Sequence, residues 1–270
     1  MRFGTIGGTN RTGTVGLADV LPLLRPANDK WILALSSPYA AGFVTLSGLD
    51  GRPKSQQWSS RMSNRRTGLI LDFGGVLTTP LLPAVLAFEQ REGLPQGACL
   101  TALYKDDAGV RITSDLERGA VSQTEWNEFA GKMLGVSPDN LMGRIFGDLR
   151  PEPLLIDAAA AARRAGIKVG ILSNSVGLAP WDLYQGYELE KLYDVVVISE
   201  QHLMRKPDPN LFEITLKLMD LPAEECIFVD DTEAYVQAAE QLGLAGVHNQ
   251  DPKQTVTTLS ELLGVDLTAS

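Results

Sequence analysis

Cysteine and histidine are nearly absent from this chain, with two of each in 270 residues. Two cysteines, Cys99 and Cys226, cannot make the disulfide framework of a secreted scaffold, so a reducing, cytoplasmic setting is expected. Neither has neighbours at zinc-ligand spacing. The two histidines, His202 and His248, leave no stock for a histidine metal cluster and speak against a Ser-His triad. Basic residues are outnumbered, 24 Lys and Arg against 33 Asp and Glu, and the net charge of −9 argues against general nucleic-acid binding. Long apolar runs are missing as well. The nearly uncharged stretch from Lys30 to Leu49 is broken by Ser36, Ser37, Pro38, Gly42 and Gly48. A membrane span needs roughly 20 predominantly apolar residues, and a secretory signal would carry its apolar core nearer the start. The expected partner is therefore a small molecule, with no nucleic acid and no membrane, for a monomer or homodimer.

What is present is a substantial core: 44% of the residues are hydrophobic, enough for one large domain or two modest ones. The beginning differs from the rest. Met1 to Arg61 holds seven Lys/Arg and three Asp/Glu, a net of +4, which leaves −9 − 4 = −13 for the remainder. It is rich in Gly, Ser, Thr and Pro and shows no sustained period. Residues 1–64 are expected to be a poorly structured extension outside the folded enzyme, with Met62 a candidate start.

After Met62, strand-like and helix-like segments alternate. Strand candidates are Leu69–Asp72, Val169–Ser173, Val195–Ser199, Ile227–Asp230 and Ala245–His248. Helix candidates are Leu155–Ala165, Asn210–Met219, Thr232–Leu242 and Thr255–Leu263. This alternation predicts an α/β fold with a Rossmann-like parallel sheet covered on both faces. Leu81 to about Leu149 breaks the pattern, reading as amphipathic helices such as Leu82–Glu92 and Thr124–Leu134. The expected division is a core of 65–79 and 150–270 with a helical cap of 80–149.

Four polar stations punctuate the core. At the first, the apolar run Gly68-Leu69-Ile70-Leu71 ends in Asp72, followed by Gly74 and Gly75. A carboxylate at a strand tip lies where open α/β sheets bind ligands, available as a nucleophile or metal ligand; a helix N-cap is the plainer reading. At the second, Ser173 and Asn174 end a strand with a hydroxyl, an amide and backbone N–H groups that suit phosphate oxygens, or with ordinary turn chemistry. The third is Arg205-Lys206-Pro207-Asp208-Pro209, where two prolines fix a loop and make Lys206 a held ammonium rather than a solvated one. The fourth is Val229-Asp230-Asp231-Thr232. Adjacent carboxylates repel unless a cation or hydrogen bonds offset them, and oxygen-only donors suit Mg²⁺; capping by Asp231 is the alternative.

Taken in this order, the four stations make the chain from about Arg65 to Leu267 resemble the haloacid dehalogenase-like hydrolase superfamily. The likeness is closest to its helical-cap branch, which includes phosphatases related to the N-terminal domain of soluble epoxide hydrolase. The resemblance implies that Asp72 is the nucleophile that takes the phosphoryl group, that Ser173 holds a phosphoryl oxygen, and that Asn174 supports the same loop. It implies that Lys206 neutralises charge on Asp72 and the phosphoryl group. Asp72, the Gly74 carbonyl, Asp230 and Asp231 would bind Mg²⁺. The implied function is Mg²⁺-dependent hydrolysis of a small phosphorylated metabolite. The chain departs from the pattern at Gly74, where most phosphatases of the superfamily carry the aspartate that protonates the leaving group. That leaves two alternatives: a haloacid dehalogenase, whose leaving halide needs no proton and no metal, and a weakly catalytic protein that binds phospho-ligands or partners. In the cap, Glu117 and Lys105 are candidate replacement acids, and Lys105, Asp106 and Arg111 candidate substrate contacts.

Overall fold

A computed structural model describes residues 66–268, together with the backbone of three strands nearer the N-terminus. The chain divides into two units, Met1–Ser63 and Asn64–Ser270. In the first, β1 (Leu24–Ala27), β2 (Lys30–Ser37) and β3 (Ala40–Thr45) pair antiparallel in that order. These strands fall inside the segment expected to be a poorly structured extension. Trp31, Ile32, Phe43 and Val44 are strand-favouring residue types, and the Ser and Pro positions between them bound short strands. The rest of 1–65 lies outside the described residues.

In the second unit, β4 (Gly68–Leu71), β5 (Lys168–Ser173), β6 (Val195–Ile198), β7 (Cys226–Asp230) and β8 (Ala245–His248) form a five-stranded parallel sheet. Its spatial order is β6-β5-β4-β7-β8. The chain steps outward from β4 through β5 to β6, then returns to the far side of β4 for β7 and β8. The tip of β4 is thus the topological switch point, where such sheets open a ligand crevice.

The strands are continuous apolar runs because both faces are covered. Alternate residues take opposite sides. Leu69, Leu71, Ile171 and Val229 pack with helices α6 (Pro153–Arg164) and α10 (Pro252–Leu263). Ile70, Leu172 and Phe228 pack with α8 (Pro209–Met219) and α9 (Glu233–Gln241). A short α7 (Leu189–Leu192) precedes β6. Helix α10 begins ahead of the expected Thr255 because Asp251 caps it, accepting from Lys253 N at 2.8 Å, and Pro252 occupies the first turn.

Between β4 and α6 lie five helices: α1 (Leu81–Glu92), α2 (Ala98–Tyr104), α3 (Asp107–Glu117), α4 (Gln123–Leu134) and α5 (Leu141–Phe146). They enclose their own apolar cluster, with Phe88, Trp126, Ala130, Leu141 and Ile145 buried. Ser122 and Glu125 start α4 with a reciprocal capping box. The two connections to the core run side by side: Thr79 N donates to Arg150 O at 2.8 Å and Glu152 N to Leu77 O at 2.9 Å. Gln123 on α4, 1% exposed, ties the insertion to the loop after β5. Its Nε2 donates to the carbonyls of Val176, Gly177 and Trp181, and its Oε1 accepts from Trp181 N. No helix among the described residues is long and apolar enough to cross a membrane.

Candidate active site

All four stations meet at the C-terminal edge of the sheet, on the β4, β5 and β7 tips and the loop before α8. Asp72 stays in register with β7 through its amide, which donates to Val229 O at 2.9 Å. Its side chain is free of any capping bond and faces Lys206, whose Nζ lies 2.7 Å from Asp72 Oδ1. The same ammonium lies 2.6 Å from Asp230 Oδ2. Lys206 and Asp230 are both fully buried. The expectation that the loop holds Lys206 fast has a direct basis: Asn174 Oδ1 accepts from Lys206 N at 2.8 Å, so the β5 tip fixes the lysine backbone. The rings of Phe228 and Tyr235 lie 5.6 and 5.2 Å from Nζ.

Asp72, Asp230 and Asp231 each present a carboxylate oxygen, and these oxygens lie within 4.8 Å of one another. Their electrostatics follow from crowding and burial. Burial, opposed by Lys206 and reinforced by Asp230 and Asp231, raises the Asp72 carboxyl to about 7. Burial would lower the Lys206 ammonium, but Asp230 and Asp72 outweigh it and hold the proton on more tightly than usual. Burial and the neighbouring Asp230 also raise Asp231. One ammonium does not balance three carboxylates, and hard oxygen donors in this number fit a small divalent cation such as Mg²⁺.

The capping alternative at β7 is reversed in detail. Asp230, not Asp231, receives the first amide of the turn, Thr232 N donating to its Oδ1 at 2.8 Å. Asp231 is left toward the cluster. Gly75 is required beside it: φ is +72°, and a Cβ there would stand 2.3 Å from Asp231 Oδ2. Gly74 is under no such demand. It is not left-handed, and a Cβ would meet the Leu81 side chain at 3.5 Å, ordinary contact. The missing acid is a fact of sequence that the backbone does not impose.

Ser173 is 1% exposed at the β5 tip and its Oγ accepts from Tyr184 OH at 2.9 Å. Tyr184 was not legible as a site residue, since nothing in a Tyr between loop residues marks it. The same holds for Asn249, past β8. Its Nδ2 donates to Gly75 O at 2.8 Å, its Oδ1 accepts from Thr255 Oγ1 at 2.8 Å, and its amide donates to Asp230 O at 2.9 Å. It thereby holds the β4 and β7 tips in one frame.

Of the candidates in the insertion, Asp106 caps α3, accepting from Ala108 N at 2.9 Å, and Lys105 and Arg111 are exposed. Glu117 alone points to the site. It pairs with Arg205 Nε, the neighbour of Lys206, and its backbone carbonyl accepts from Ser199 Oγ at 2.5 Å. Burial raises its carboxyl, against the opposing pull of Arg205, Lys206 and Arg118.

A family model described as haloacid dehalogenase-like hydrolase matches residues 67–243. The sesquiterpene phosphatase astK of Aspergillus oryzae is 29% identical over 208 residues, covering 72% of this chain and 95% of that protein. The acyl-CoA dehydrogenase family member 10 of Mus musculus is 25% identical over 220 residues, 78% of this chain, and the match spans only 20% of the mouse protein's length. Among solved structures, a haloacid dehalogenase family enzyme from Bacteroides thetaiotaomicron in a magnesium complex has a TM-score of 0.52 and 20% identity. That likeness covers 68% of this chain and 93% of the other, and it bears on the fold.

Proposed function

The chain belongs to the haloacid dehalogenase-like hydrolases, and from that premise we propose that it hydrolyses small phosphate monoesters through an aspartyl-phosphate on Asp72. The observation that carries this reading is the buried triangle of Asp72, Lys206 and Asp230, closed by contacts of 2.7 and 2.6 Å, with Asp231 beside it. The name of the Aspergillus relative, a phosphatase matched along 95% of its length, supports the same chemistry.

In this reading an Asp72 oxygen attacks phosphorus, the bond from phosphorus to the leaving oxygen breaks, and the phosphoryl group passes to the aspartate. Water then attacks the same phosphorus, releasing inorganic phosphate and restoring the carboxylate. Two easier transfers replace one difficult one. Lys206 offsets the repulsion between a carboxylate and a phosphate dianion. Ser173 Oγ and the backbone amides of the β5 tip receive a phosphoryl oxygen. Asp72, the Gly74 carbonyl, Asp230 and Asp231 would hold Mg²⁺, which when bound supplies Lewis-acid neutralisation of phosphoryl charge. The helical insertion serves as the cap over this edge.

A dehalogenase would have no use for Asp230 and Asp231 as a cation site. The phospho-ligand-binding alternative draws on Gly74, since general acid help is worth about 10²–10⁴-fold. Steady-state assays of acetyl phosphate and alkyl phosphates with and without Mg²⁺ separate them. Turnover that needs Mg²⁺ and falls at least about 10³-fold in Asp72→Asn is expected; Mg²⁺-dependent phosphate binding without turnover of any ester would favour the binding protein.

A further inference from the structure

The Ser173 hydroxyl, which the phosphomonoesterase reading gives to a phosphoryl oxygen, has a buried partner in Tyr184. Tyr184 lies in the loop between β5 and α7, in a tight turn: Asp182 Oδ1 accepts from Tyr184 N at 2.9 Å, and Tyr184 O accepts from Tyr187 N at 3.1 Å. The rings of Tyr184 and Tyr187 pack edge-on against Phe73, their centroids 4.8 and 4.6 Å from its own. Phe73 is fully buried and directly follows Asp72. The phenol is thus fixed from the tip of β4, and its hydroxyl reaches the tip of the neighbouring β5.

Proton accounting gives this bond a direction. The Tyr184 hydroxyl has one hydrogen, and among the described residues Ser173 Oγ, 2.9 Å away, is its sole acceptor. Burial, opposed by that hydrogen bond, raises the hydroxyl above the usual phenol range, so it stays protonated. Tyr184 is 8% exposed, and a buried donor left without an acceptor would cost its full desolvation. Tyr184 therefore donates and Ser173 accepts. Among the described residues the hydrogen of Ser173 then has only Asn174 O, at 3.4 Å, beyond the usual reach of an O–H···O bond. It remains for a ligand. A serine oxygen that already accepts a hydrogen bond is also the stronger donor.

We propose that Tyr184 is a positioning residue, donating to Ser173 Oγ so that the serine's own hydrogen is aimed at the phosphoryl oxygen. Without the phenol hydroxyl, Ser173 keeps its place at the β5 tip, but its hydrogen is free to turn to Asn174 O or to water. The inference rests on the phosphomonoesterase reading and on the place that reading gives Ser173.

The test is a double-mutant cycle on the full chain, read as kcat/KM for acetyl phosphate with Mg²⁺. Tyr184→Phe keeps the ring and removes the hydroxyl, and should lower kcat/KM about tenfold. Ser173→Ala should lower it at least as far. Adding Tyr184→Phe to Ser173→Ala should then change it by less than about twofold, because the phenol has no serine left to aim. A folded Tyr184→Phe within about twofold of the wild type overturns the inference and leaves the phosphohydrolase reading standing. An equal loss from Tyr184→Phe with and without Ser173 overturns it too. If circular dichroism shows Tyr184→Phe unfolded, Tyr184→Met fills the space instead. Should the wild type turn over no acetyl phosphate, the phosphohydrolase reading falls, and the same cycle is read in the Kd for inorganic phosphate by calorimetry. Absence of phosphate binding removes the inference as well.

Discussion

At the C-terminal edge of the parallel sheet, the buried groups are charged and touch one another: Lys206 between Asp72 and Asp230, with neither Lys206 nor Asp230 reached by solvent. In the helical insertion the buried groups are mostly apolar, Phe88, Trp126 and Leu141 among them. Most of its charges stay outside, as in the Arg91–Asp148 pair, whose side chains are 47% and 44% exposed; Glu89 is buried, but backbone amides hold it, Gly97 N and Cys99 N donating to its carboxylate at 2.7 and 2.8 Å. The contrast separates two uses of burial. Desolvating three ionic groups is costly, and a hydrophobic cluster of the same volume would often be as stable. Such a cluster is retained where charge must act at low dielectric. The insertion instead buries mainly apolar side chains, and polar groups such as Glu89, Gln123 and Asn127 only where a hydrogen bond satisfies them.

The largest break in this comparison is expected from Lys206→Met. It leaves Asp72 and Asp230 buried without a counter-charge, and urea unfolding without added Mg²⁺ should show a loss of about 3–5 kcal/mol, with turnover abolished. A loss under about 1 kcal/mol would mean that the carboxylates are rehydrated or protonated at little cost.

The seam between the two regions is probed by Gly74→Asp. Position 74 accepts a Cβ against Leu81 at 3.5 Å, so the variant can carry the absent acid. Steady-state rates on glucose 6-phosphate, whose primary alkoxide is a poor leaving group, should rise about 10²-fold, while acetyl phosphate changes little. Equal effects on both would show that leaving-group protonation is not what limits the natural enzyme.

The smallest effect is expected in the insertion. Arg91→Ala removes a solvated pair and should shift unfolding by no more than about 0.5 kcal/mol, without altering kinetics.

Legibility follows the same division. The β4, β5 and β7 runs announce themselves because strands buried on both faces must be continuously apolar, and each ends in a polar residue that meets the others at the sheet edge. Asp72, Ser173, Asn174, Asp230 and Asp231 could therefore be named from sequence, and Lys206 from the prolines around it. The three strands between Leu24 and Thr45 were hidden by Ser, Pro and Gly that read as breaks. Tyr184, Asn249 and the Glu117–Arg205 pair carried no local signal. Their partners are distant in sequence, and a hydrogen bond across 174 residues, as from Asn249 to Gly75, has no trace in either neighbourhood.

The sequence by itself determined the order of strands and helices, the stations at the strand tips and the absence of an acid at Gly74. These are written in residue type and period, which act locally. Only the tertiary structure decided that one ammonium sits between two carboxylates, that Gly75 yields its Cβ space to Asp231, and that Asn249 ties the β4 tip to the β7 tip. Such facts depend on which surfaces the packed sheet and helices bring within a few ångströms.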